Sequence, residues 1–173
     1  MKKSNTDYWN SVGSSYNDKW AGGSMMWMDN SEKDFIIKSL KSLNKVDSVS
    51  LDIGSGNGRI VDFLIELGFT HINAVDASIE MVSFLKEKYK KNDNVERTLK
   101  INSMDDVSGK YDLITAIRVL KYNETWKEYI TKSVEKLNSG GVFIFTFPNK
   151  YSLSYFAKNR YPVKTYITDR KEL

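Results

Sequence analysis

The sequence predicts an α/β protein built on a mainly parallel sheet, and three observations carry that expectation. Strand-like and helix-like segments alternate through the middle of the chain, the pattern of a parallel sheet with helical crossovers. The stretch "VSLDIGSGNGRI", Val49 to Ile60, sets three glycines two residues apart between a strand-like and a helix-like run. The late run "VFIFTF" is apolar on both faces, as a strand buried inside such a sheet must be.

The candidate strands are 48–53, 71–76, 95–101, 111–117 and 141–147. Between the first two, an apolar run from Ile60 to Leu67 ends at Gly68 and reads as a helix. From Ser78, Val82, Leu85 and Tyr89 fall at steps of three and four on one helical face. Thr125 to Glu128 forms a capping-box pattern ahead of Trp126, Tyr129, Ile130, Val134 and Leu137, a stripe that stops before Gly140-Gly141. A weaker box, Ser31 to Asp34, opens a helix with Ile36, Leu40 and Leu43 facing inward. The Trp, Met and Phe residues on these faces read as core. The first thirty residues are rich in aromatics and Met yet broken by glycines, which suits a lid-like segment or simple packing against the domain edge.

The chain has 173 residues, which sets the expectation of a single domain over residues 1–173. Hydrophobic residues make up 40% and charged residues 28%, an ordinary globular composition that argues against disorder. No apolar run approaches the ~20 residues of a membrane span, and the N-terminus lacks the apolar region of a secretory signal. There are no cysteines. That removes disulfides, thiolate metal sites and cysteine nucleophiles, no metal site is expected, and a reducing, cytoplasmic setting fits. The net charge is +4 with lysines scattered rather than blocked, so nucleic-acid binding is permitted but not indicated.

A strand, a tight glycine turn and a helix place helix N-terminal N–H groups toward a ligand. Gly54, Gly56 and Gly58 let the backbone approach closely. Asp76 ends the second strand-like run, 22 positions after Gly54, where an acid accepts hydrogen bonds from ribose hydroxyls. The joint signal is a nucleoside-containing ligand. A dinucleotide fingerprint wants Gly or Ala where this chain has Arg59, and Asp52 before the loop repels a pyrophosphate. The same carboxylate attracts an ammonium group. A ligand with a ribose at one end and a cationic amine near the loop fits both acids, and S-adenosylmethionine is one. An NAD-dependent oxidoreductase is the rival enzyme reading, with Arg59 and Asp52 against it.

"LDIGSGNGRI" resembles motif I of the class I S-adenosylmethionine-dependent methyltransferases. In the same order, "AVDAS", "NSMDDV", "YDLITAIRVLKY" and "LNSGGVFIFTFPN" resemble the later strands of that family and the turns after them, and "YWNSVGSSYNDKW" is similar to its N-terminal element. The resemblance covers roughly residues 8 to 149. It implies a Rossmann-like three-layer sandwich with sheet order 3-2-1-4-5, helices on both faces, and the last two of the usual seven strands absent.

The resemblance also assigns roles. Asp52 holds the methionine amino group, directly or through water. Gly54, Ser55 and Gly56 border the methionine and ribose. Asp76 takes both ribose hydroxyls, with Ala77 on one adenine face and Met104 on the other. Asp105 accepts from the adenine amino group, Ile117 and Arg118 line the methionine tail, and Tyr16 closes over the cofactor. Ser103 stands where the family often has an acid, so the adenine contact rests on a loop whose register is open by a residue or two. Family members usually continue with a helix and an antiparallel hairpin, whereas residues 150–173 read as an incomplete C-terminal part. The sequence therefore predicts either a fragment or a covered edge along the fifth strand, a second copy of the chain being one cover.

Methyl transfer from a sulfonium is an in-line displacement that needs alignment and exclusion of water. The lone histidine, His71, starts the second strand, at the end of the sheet away from the ligand crevice, and is not expected to act as a base. No catalytic residue is assigned. The absence of cysteine excludes a cytosine-C5 mechanism, and "AIRVLKY" stands where amino-methylating DNA enzymes carry Asn-Pro-Pro-aromatic. A small-molecule acceptor follows by resemblance, with S-adenosylhomocysteine as the other product. A non-catalytic cofactor-binding module is the alternative outside the enzymes.

Overall fold

The computed structural model describes residues 5–12, 24–40 and 43–148. Helix α1 (Asn5–Val12) and helix α2 (Ser24–Ser39) precede strand β1 (Val49–Ile53). Then come α3 (Arg59–Glu66), β2 (His71–Asp76), α4 (Ile79–Tyr89), β3 (Val95–Lys100), β4 (Tyr111–Ala116), α5 (Trp126–Glu135) and β5 (Leu137–Phe145). Short 3-10 turns occupy Met104–Asp106 and Leu120–Tyr122.

The five strands are parallel and lie in the order β3-β2-β1-β4-β5. The chain winds outward from β1 to β3, then returns to the other side of β1 for β4 and β5. That reversal creates a crevice beyond the C-terminal ends of β1 and β4, where open α/β sheets bind ligands.

Strand alternation divides the core into two layers. On one face Ile72, Ala74 and Leu113 pack with Ile36 of α2, Leu40 just after it, Val61 and Leu64 of α3 and Leu85 of α4. On the other, Leu51, Ile53, Val75 and Ile114 pack with Met104, Leu120 and Trp126. The central strands are buried almost throughout, whereas β3, at one edge, carries Glu96, Arg97 and Lys100 and is largely exposed. Charge on an edge strand discourages pairing with other chains.

Several local expectations need correction. The Ser31–Asp34 pattern lies inside α2, which starts at Ser24, because a capping box is a local signature that a longer helix overrides. Residues 5–12 and 24–30, read as irregular, are helical. Thr125 caps α5 without a side-chain bond to its backbone; its Oγ1 donates to Asn123 Oδ1 instead. Val134 of the proposed buried stripe is 54% exposed. Finally, β5 begins at Leu137 rather than 141. Its pairing to β4 slips between Tyr111 and Leu113, and the residues opposite that slip include Gly140 at φ 78. The glycine pair marks an irregularity inside a strand rather than the stop of a helix.

Candidate active site

Asp52 sits on β1 beside its β4 register partner Thr115. It is 2% exposed, and its Oδ1 accepts a 2.7 Å hydrogen bond from Thr115 Oγ1. Burial raises its pKa from 3.8 to about 6, against the bonds from Thr115 and Ser55 and the charge of Arg59. A carboxylate held in so little water is poised for a cationic partner.

Asp76 ends β2. Its Oδ2 accepts from Gly56 N at 2.9 Å and its Oδ1 from Ser78 N at 2.8 Å. Burial nonetheless pushes its pKa upward. Two backbone donors leave each oxygen with a further lone pair for a ligand hydroxyl.

The glycine turn is tied to the same strand end. Gly54 N and Ser55 N both donate to Val75 O, at 2.8 and 3.0 Å. Ser55 Oγ donates to Asp52 O at 2.8 Å and accepts from Val75 N at 3.1 Å. Gly54 must be glycine: its φ is +68, and a Cβ there would lie 2.3 Å from Val119 Cγ2. The result is a cavity of about 300 Å³ into which Asp52, Gly54, Ser55, Gly56, Asp76, Ala77, Ile117 and Arg118 all open.

Three other expected residues lie off the cavity lining. Ser103 caps the 3-10 turn, accepting from Asp105 N at 3.1 Å, and Asp106 Oδ2 accepts from the amides of Asn102 and Ser103. This tight turn buries Met104 completely in the core and points Asp105 to solvent, where it pairs with Lys132. Asn102, one residue earlier, faces the cavity in their place, a shift within the register left open by the sequence. Tyr16 lies outside the described residues.

The lining also includes residues the sequence did not single out: Trp9, Asn57, Met81 and Tyr122. Trp9 of α1 meets Tyr122 edge-on with ring centroids 5.2 Å apart, so α1 covers one side of the crevice. Only the aromatic richness of the N-terminal segment hinted at this. Arg59 and Arg118 share a carboxylate of α2. Glu32 takes Arg59 Nη2 at 3.2 Å and Arg118 Nε at 2.6 Å, while Asp29 pairs with Arg59 Nη1. Arg118 also adopts φ 63, a left-handed backbone rarely taken by non-glycine residues, and its N–H donates to Thr146 Oγ1 at 2.6 Å. His71 lies at the far end of β2, its Nδ1 2.6 Å from Glu96 Oε1.

An open parallel sheet of this order, with a glycine turn after β1 and an acid closing β2, defines the class I methyltransferase fold. A methyltransferase-domain model matches residues 28–169, and the chain belongs to that family. It is similar to the mitochondrial ubiquinone biosynthesis O-methyltransferase of Saccharomyces cerevisiae, 25% identical over 133 residues that cover 74% of this chain and 43% of that protein. Among solved structures, an S-adenosylmethionine-dependent methyltransferase from Clostridium acetobutylicum is 29% identical with a TM-score of 0.61, over 73% of this chain and 53% of that one. Magnesium protoporphyrin IX methyltransferase from Synechocystis PCC 6803, solved with bound S-adenosylhomocysteine, shares the fold at a TM-score of 0.75 and 18% identity, over 96% of this chain and 83% of that one. The chain spans less than half the length of the curated relatives it matches. Among the described residues no helix is long and apolar enough to cross a membrane.

Proposed function

We propose that the chain binds S-adenosylmethionine in this cavity and transfers its methyl group to a small-molecule acceptor. One observation carries the reading: Asp52, before the glycine turn, and Asp76, at the end of β2, both line the same cavity. A buried carboxylate favours an ammonium ligand, and a carboxylate with spare lone pairs favours vicinal hydroxyls. The bound cofactor supplies an electrophilic methyl group. Asp52 holds the amine, and Asp76 holds the ribose. Gly54, Ser55 and Gly56 border the link between them, while Ile117 and Arg118 flank the amino-acid tail. Ala77 and Asn102 flank the base, Asn102 taking the place first given to Ser103, Met104 and Asp105. The chain's contribution to rate is alignment of the displacement and exclusion of water, to which Trp9 contributes by covering the crevice.

His71 is not the base in this reading. As a partner we propose a second copy of the chain along β5, where Ile144 alone is fully buried; size-exclusion chromatography tests it, and elution as a monomer overturns it. The absence of cysteine supports a reducing compartment such as the cytoplasm. The activity is tested by incubating the protein with methyl-labelled S-adenosylmethionine and a metabolite extract. Label appearing in an extractable small molecule supports the reading. Binding without transfer of label overturns it in favour of a non-catalytic module.

A further inference from the structure

The glycine turn is held on its inner side by Val75 and Asp76, and a second set of contacts grips it from outside. Tyr89, the last residue of α4, is 6% exposed. Its hydroxyl lies 3.0 Å from Gly58 O and 2.7 Å from Asp62 Oδ1, one proton facing two acceptors. The neighbouring Lys88 Nζ donates to Asn57 O at 2.9 Å and to Asp62 Oδ2 at 2.6 Å. Two successive carbonyls of the turn are thus fastened to the end of α4, and Asp62 in the first turn of α3 joins both fasteners. Gly58 is shaped for the contact: its φ is +84, and a Cβ would lie 2.2 Å from Tyr89 Oη. Burial and the Asp62 carboxylate both push the Tyr89 pKa upward, so the hydroxyl stays a donor across the working pH range.

We infer that Tyr89, Lys88 and Asp62 form a brace that fixes the glycine turn relative to Asp76, making Tyr89 a positioning residue for nucleoside binding although it does not line the cavity. Strand β2 and helix α4 are consecutive in the chain. The segment that supplies the ribose-facing carboxylate at its start therefore supplies the outer clamp at its end. The turn is held between them at a fixed distance, so a ligand meets a preformed backbone and does not have to order it.

The inference rests on the proposed S-adenosylmethionine reading for its ligand, and two measurements keep the two separable. Amide hydrogen exchange on the free protein reads the turn itself. Calorimetric titration with S-adenosylhomocysteine reads its consequence. Tyr89→Phe keeps the ring and removes both hydroxyl contacts; Lys88→Met, at a side chain 30% exposed, is the second variant should the first fail to fold. Each is expected to speed exchange at residues 56–60 and to weaken S-adenosylhomocysteine binding about tenfold for Tyr89→Phe and a few-fold for Lys88→Met, with exchange in β1 and β4 unchanged. Unchanged exchange at the turn, or unchanged affinity beside a wild type that binds, overturns the brace. A wild type that does not bind overturns the cofactor reading, while exchange at the turn still decides whether the brace exists.

Discussion

Asp52 and Thr115 are 63 positions apart in sequence and adjacent across the β1–β4 pair, joined by a 2.7 Å hydrogen bond. The bond fixes one carboxylate oxygen at the point where the sheet reverses its winding. It also leaves a nearly anhydrous negative charge whose stabilisation in the free protein is incomplete. A rise in pKa from 3.8 to about 6 corresponds to about 3 kcal/mol of disfavoured ionisation.

The sign of the resulting pH dependence follows directly. Between these two pKa values the folded protein binds more protons at Asp52 than the unfolded chain, so its stability falls as pH rises through that window. Asp52→Asn removes this contribution. Urea unfolding of the free protein at pH 4.5 and pH 7 is expected to show a smaller loss of stability in Asp52→Asn than in the wild type, by about 2 kcal/mol. Equal pH dependence in the two proteins contradicts the buried charge.

Ligand binding is expected to run the other way. A cationic amine pairs with the ionised form of Asp52, so affinity for S-adenosylhomocysteine rises with pH and levels off above about 6. Calorimetry at pH 5 and pH 7.5 is expected to differ by about tenfold, the ionised fraction at the lower pH being about a tenth.

Gly54→Ala meets both a left-handed backbone and Val119 Cγ2 at 2.3 Å. We expect a loss of about 2–4 kcal/mol in stability. Val119→Ala in the same chain is expected to recover only a minor part of that loss, because it removes the two γ carbons but leaves Val119 Cβ 2.7 Å from the added carbon while the backbone strain persists. Denaturant midpoints of the single and double variants measure it.

The local unit around β1 was legible in the sequence because its signals are local. The glycine turn, the acid before it and the acid ending β2 all follow from residue types and spacing. Failures came where a tertiary arrangement overrode a local pattern. Ser31 to Asp34 looks like a helix start but lies within a helix that begins at Ser24. Gly140-Gly141 looks like a helix stop but lies in a strand whose pairing slips. A single 3-10 turn decided that Met104 faces the core and Asp105 the solvent, which spacing alone does not specify. Trp9 reaches the cavity through packing of α1 against Tyr122, a relationship 113 residues long that no motif records.

Glu32 joins α2 to both cavity arginines with side chains only 15–16% exposed. Glu32→Ala removes a carboxylate shared by two cations and is expected to cost about 2–3 kcal/mol. Glu32→Asp, which keeps the charge, is expected to recover part of that cost. Thermal unfolding of the two variants beside the wild type measures the difference.

The central claim is that Asp52 and Asp76 grip one ligand from two sides. It is tested most directly by calorimetric titration of wild type, Asp52→Asn and Asp76→Asn with S-adenosylhomocysteine at pH 7.5. The account predicts one-site binding by the wild type and a loss of at least about tenfold in each variant. No binding by the wild type, or unchanged affinity in both variants, would contradict it.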